Sequence, residues 1–62
     1  MDTATIYANY KGELFKIATY SLPVALEAMN DPDYLKHLVS MGIDATTIHA
    51  INNQTGEIIA AK

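Results

Sequence analysis

Cysteine, arginine and tryptophan are all absent from this chain of 62 residues. Without cysteine there is neither a disulfide nor a thiolate metal site, and the composition suits a reducing compartment, so the cytoplasm is the expected location. Without arginine there is no planar bidentate fork for phosphates or guanine edges. Four lysines face seven acidic residues, for a net charge of −3, and counterion release needs several cations on one surface. A nucleic-acid partner is therefore not expected. No stretch reaches the ~18 consecutive apolar residues that span a bilayer, so no membrane association is expected. The leading residues Met1 to Thr5 lack the positive region of a secretory signal. Glycine (three) and proline (two) are also sparse, which makes each of them informative about where the chain turns.

The length allows one domain, residues 1–62, and a domain of this size buries only about 60% of the surface of its unfolded chain. With no disulfide and no metal ligand set to supplement that core, association with a partner or with a second copy is the expected source of extra stability.

What is present is a symmetry of turn signals. A turn at Tyr10-Lys11-Gly12-Glu13 and another at Asn52-Asn53-Gln54-Thr55-Gly56 flank a central segment, Leu22 to Met41, marked by both prolines. From Ala4 to Tyr10 the residues alternate, with Ala4, Ile6, Ala8 and Tyr10 on one face and Thr3, Thr5, Tyr7 and Asn9 on the other, which predicts a strand. Leu14 to Tyr20 is rich in β-formers and predicts its hairpin partner. Phe15 and Ile17 are the core candidates there, and a solvent-facing Lys16 carries Leu14, Ala18 and Tyr20 to the outer side by the period of two.

Ser21 stands at an N-cap position with Pro23 in the first helical turn. Leu22, Ala25, Leu26 and Met29 recur at helical spacing as an inward stripe. Pro32 disfavours a helical Asp31 and removes a hydrogen bond, while Asp31 is itself a good cap, so two short helices are predicted, about 22–29 and about 32–41. Leu35, Leu38 and Val39 extend the stripe, and Gly42 suits the left-handed position after a helix. Thr47 to Ile51 and Glu57 to Ala61 complete a second hairpin, with Ile43 packing just after the cap. The expected fold is α+β, ββα(α)ββ, an antiparallel sheet with a broken helical segment packed on one face. Helices cover one side only, so Tyr7, Leu14, Tyr20, Ile51 and Ile59 are expected to make an apolar outer face, a mark of an interaction surface.

Catalytic chemistry finds no pattern here. Ser21 and Ser40 lack a nucleophile elbow, and the isolated glycines make no phosphate loop. Asp33 and His37 share a helix face, and with His49 or Asp44 they approach a metal set, but without the spacing of a zinc motif. The chain is too short for a typical concave small-molecule pocket. No enzyme, metal, cofactor or small-molecule substrate is therefore expected. Glu27, Asp31, Asp33 and Asp44 lie in or beside the helical segment opposed only by Lys36, a locally negative surface suited to docking on a basic one. Four tyrosines, Tyr7, Tyr10, Tyr20 and Tyr34, supply rigid bodies with polar tips of the kind favoured at protein interfaces.

The order of a hairpin over Ala4 to Tyr20, the helical stretch Ser21 to Met29, and Gly42 to Lys62 resembles short phage-encoded proteins that bind and block a host enzyme or a bacterial defence complex. Some anti-CRISPR proteins and the small RNA-polymerase inhibitors of podoviruses are among them. The resemblance is one of size and element order over most of the chain and implies a protein-binding inhibitor acting in the host cytoplasm. It carries no functional residue with it. The expected function is a non-enzymatic protein-binding module, with Tyr7, Tyr20 and Ile51 on the outer sheet face and Glu27, Asp31 and Asp33 on the helical face as candidate contacts. The alternative is a self-associating homodimer formed through the sheet.

Overall fold

Backbone turns with positive φ set the element boundaries. In the computed structural model, which describes residues 2–62, Met1 lies outside the described residues. The elements are β1 (Thr3–Tyr10), β2 (Glu13–Ser21), α1 (Leu22–Met29), α2 (Pro32–Ser40), β3 (Ile43–Asn52) and β4 (Ile58–Ala61). Lys11 and Gly12 both have positive φ, 52° and 81°, the mirror-image turn whose twist matches a two-residue hairpin. Gly42, φ 85°, ends α2 in the left-handed conformation that glycine adopts without strain.

The four strands form one sheet in the order β2-β1-β3-β4, antiparallel throughout. Both helices lie on one face, so the fold is α+β, as expected. The Cα extents are 31 × 23 × 16 Å, the short axis spanning the two layers. The exposed area, 3973 Å², matches the roughly 3,950 Å² of a folded monomer of this mass.

That core is Ile6, Ala8, Ile48 and Ala50 from the two central strands, Ile43 at the start of β3, Met29 from α1 and Leu38 from α2. Small residues on β1 and β3 let the helices approach the sheet, and Ile6, Met29 and Ile48 fill the space between. The break between the helices occurs as predicted. Asp31 caps α2 by accepting a hydrogen bond from Asp33 N at 2.9 Å, whereas Ser21 is extended and its side chain makes no cap bond.

Three β-bulges redraw the faces. Tyr7 pairs with Lys16 and Ile6 with Ala18, so Ile17 is an extra residue and the period of two resets across it. Leu14 and Lys16 stay on the outer face, but Ala18 and Tyr20 turn to the helix side, contrary to the expectation for both. Ile51 pairs with Ile58 and Ala50 with Ala60, so Ile59 is likewise extra and packs against the core rather than outside it. Between β1 and β3, Ala8 stands against four residues, Ala45 to Ile48. This wide bulge is tied by Asp44, which accepts from Thr46 N at 3.0 Å and from Thr47 Oγ1, through its carbonyl, at 2.7 Å. Thr47 Oγ1 in turn accepts from Asn9 N at 2.8 Å. The third strand is therefore longer than predicted, and the bulge allows Ile43 and Ile48, five residues apart, both to face the helices.

Helix stripes are narrower than the sequence suggests. In α1 only Ala25 and Met29 are buried, and Leu26, expected in the core, is 39% exposed. In α2 only Leu38 is buried, and Val39 is 58% exposed. An eight- or nine-residue helix lying on a flat sheet buries one line of residues, not two. Phe15 faces the helix side as expected but is 44% exposed, because it pairs with Ala8 on an edge strand near the hairpin tip.

Candidate functional site

The outer sheet face is less apolar than expected. Thr5, in the middle of it, is buried and its hydroxyl lies 2.9 Å from Thr19 Oγ1 and donates to Asn53 Oδ1 at 3.0 Å. Asn53 Nδ2 donates to Thr3 Oγ1 at 2.9 Å, and Thr3 N to Gln54 Oε1 at 2.9 Å. The Asn52–Gly56 turn thus folds against this face and satisfies its polar groups. Tyr7 stacks on His49 across the central strands, ring centroids 5.7 Å apart and 21° from parallel. Tyr7 and Ile51 are both half-buried, with Lys16 opposite Tyr7 and exposed Ile58 opposite Ile51.

A different set converges on the helix side. Tyr20, at the far end of β2, meets Tyr34 from the first turn of α2 edge to face, centroids 6.5 Å apart at 71°. Their hydroxyls are 3.4 Å apart. Burial, followed by the hydrogen bond and the charge of Tyr20, raises the Tyr34 phenol above its ordinary pKa of 10.0. Val24, Glu27 and Ala28 from α1 and Asp31 from the helix junction complete a groove of about 280 Å³. Position explains the convergence. Val24, Glu27, Ala28 and Asp31 are spaced by three and four, so one side of α1 and its continuation into the cap carries all of them. The Ile17 bulge swings Tyr20 to meet them.

Of the six predicted contact residues, the structure therefore gathers Tyr20, Glu27 and Asp31 in one groove. Tyr7 and Ile51 share the opposite face of the sheet, and exposed Asp33 is not among the groove's lining. Tyr34, Val24 and Ala28 also line the groove; of these the sequence points only to Tyr34, as one of four interface-type tyrosines. The (i, i+3) and (i, i+4) spacing to Glu27 and Asp31 was the signal that would have found them.

A second depression, about 160 Å³, lies at the hairpin-tip end and is lined by Tyr10, Phe15, Met41 and Ile43. Tyr10 and Phe15 rings meet there at 5.6 Å, and Lys11 Nζ sits 5.2 Å over the Tyr10 ring.

Among the described residues, no three His, Cys, Asp or Glu side chains gather closely enough to hold a metal ion. Asp33, His37, His49 and Asp44 thus form no such group. Ser40 Oγ donates to the His37 carbonyl at 2.6 Å, a helix-end role. No helix of the described residues is long and apolar enough to cross a membrane. The molecule is thus a small α+β domain with a four-stranded antiparallel sheet and one helical layer. Compared with known protein families, curated proteins and solved structures, the chain matches none.

Proposed function

We propose that this chain is a non-enzymatic protein-binding module that docks on a basic surface of a larger partner through the face where α1 meets α2. One observation carries the reading: the groove there combines two tyrosines, an aliphatic floor and two carboxylates, the mixture that anchors protein interfaces. Charge of one sign on that face raises the association rate and discourages acidic partners. The size and element order resemble those of short phage-encoded inhibitors of host enzymes or defence complexes. Blocking a larger complex in the host cytoplasm is the form of action proposed, and the absence of cysteine suits that compartment.

The sheet edges favour this route over strand addition. The long edge strand β2 is interrupted by the Ile17 bulge and carries Lys16, and the other edge, β4, has only four residues and its own bulge. Those are devices that blunt edge-to-edge pairing. Self-association through the outer face remains the alternative, motivated by Tyr7, Ile51, Leu14 and Ile58 on that side.

Affinity capture with tagged protein tests the reading, using wild type, Glu27→Lys and Tyr7→Ser in lysate of the source cell or its host. A stoichiometric protein partner is expected with wild type and Tyr7→Ser and lost with Glu27→Lys. Capture of no stoichiometric partner at any salt concentration would overturn the proposal. Light scattering at ~100 μM distinguishes the alternative, because an obligate homodimer often has no stable folded monomer.

A further inference from the structure

We infer that the α1–α2 groove receives a single arginine side chain of a partner protein. This rests on the docking function proposed above and names the chemistry that the groove recognises.

Shape comes first. At about 280 Å³ the groove falls just below the ~300–1,000 Å³ of sites that enclose a small molecule, and it suits one long side chain entering from a neighbouring surface. Val24 and Ala28 provide an apolar strip for a methylene stem. The edge-to-face arrangement of Tyr20 and Tyr34 leaves the faces of the edge-on ring uncovered by the other. An aromatic face attracts a cation, and a planar guanidinium stacks there more readily than a compact ammonium.

Charge decides the sign of the occupant. Among the described residues, Glu27 and Asp31 are the only ionic side chains lining the groove, and none of the four lysines of the chain is among the lining residues. Lys11, Lys16 and Lys62 lie on the strands or their ends, and Lys36 lies on α2. Asp31 Oδ1 already accepts from Asp33 N, which leaves its other oxygen for a donor, and Glu27 stands four residues before it. The C-terminus of α1 and the N-terminus of α2 meet here with opposite partial charges, so the helix dipoles largely offset one another. The side-chain carboxylates therefore set the local field. Two carboxylates flanking aromatic faces complement a guanidinium, which offers five donors in a plane and a surface for stacking.

The test uses a defined probe rather than the unidentified partner. Titration of the protein with N-acetyl-Gly-Arg-Gly-amide, followed by amide and tyrosine-ring NMR shifts, should give saturable changes confined to the groove residues Tyr20, Val24, Glu27, Ala28, Asp31 and Tyr34. The neutral isostere with citrulline in place of arginine should give no saturable shift. The double variant Glu27→Gln/Asp31→Asn should weaken arginine binding by about five- to tenfold, the scale of two exposed charge contacts. Its fold should survive, since asparagine caps a helix as well as aspartate does and glutamine matches glutamate in helix propensity. Three outcomes overturn the inference: no saturable shift in the groove, equal binding of the citrulline peptide, or equal binding of a third peptide, N-acetyl-Gly-Lys-Gly-amide. The two proposals fail separately. Partner capture that persists in the double variant removes the arginine assignment and leaves protein binding standing, whereas absence of any captured partner removes the function and leaves peptide binding as its own result.

Discussion

Two depressions open on the helix side of β2, one near each end of that strand, and they are made differently. The one at the hairpin tip, lined by Tyr10, Phe15, Met41 and Ile43, lies where the helices stop short of the sheet. It is an uncovered margin of the core, and its apolar walls hold an occupant by area without specifying it. The one at the other end, lined by Tyr20, Val24, Glu27, Ala28, Asp31 and Tyr34, lies where two helices and a strand converge and places charge beside aromatic surface. Apolar area supplies affinity, while fixed charge selects among partners. A shortfall of packing and the proposed recognition site thus look alike in kind, and the polar groups at the rim tell them apart.

The sharpest way to break the comparison is to remove the core they share. Ile48→Ala should cost ~2–5 kcal/mol in a urea titration, because a fully buried side chain leaves a cavity. Phe15→Ala at the open depression should cost about 1 kcal/mol or less, the range of partly exposed positions. Equal costs would mean that the hairpin-tip depression is closed in solution.

Next in size is the ring at the junction of the α1–α2 groove. Tyr20→Ser should lose ~1–3 kcal/mol, since it removes a half-buried ring packed against the core and its edge-to-face partner. Tyr7→Ser, which removes only the stack on His49, should cost about 1 kcal/mol. A larger loss at Tyr7 than at Tyr20 in parallel thermal melts would contradict the bulge at Ile17.

Gly42→Ala probes the wall of the apolar depression. Its added Cβ would lie 3.5 Å from Tyr10 Cε1, an ordinary contact, so the expected loss of ~1–2 kcal/mol comes from left-handed backbone strain. The tyrosine-ring resonances of the α1–α2 groove should stay in place, and their displacement would show that the two ends are coupled.

The smallest effect separates the two ends by pH. The Tyr34 phenol titrates above its ordinary value of 10.0 in the folded chain, so above pH ~10 the unfolded state loses this proton first. Unfolding then binds fewer protons than the native state, and stability must fall as pH rises through that range. Tyr34→Phe should flatten the decline in melting temperature between pH 9 and pH 11 relative to wild type. An unchanged slope would show that the Tyr34 environment is more open than described.

Local chemistry was enough to determine the turns, the element order and the broken helix. Lys11-Gly12, the pair Asp31-Pro32 and Gly42 act through the conformations of their own residues and need no distant contact. The alternation in β1 likewise determined which of its residues face the helices. The faces of β2 and β4 were decided only by pairing, because a bulge depends on how one strand meets its neighbour, and a single extra residue at Ile17 or Ile59 inverts everything beyond it. The candidate site was legible in part: Glu27 and Asp31 stood out as acidic residues on one helical face. Their meeting with Tyr20 and Tyr34 was not, since a groove is a relation between elements, here a strand reset by its bulge and two helices joined at a cap. Only the tertiary structure supplies that relation.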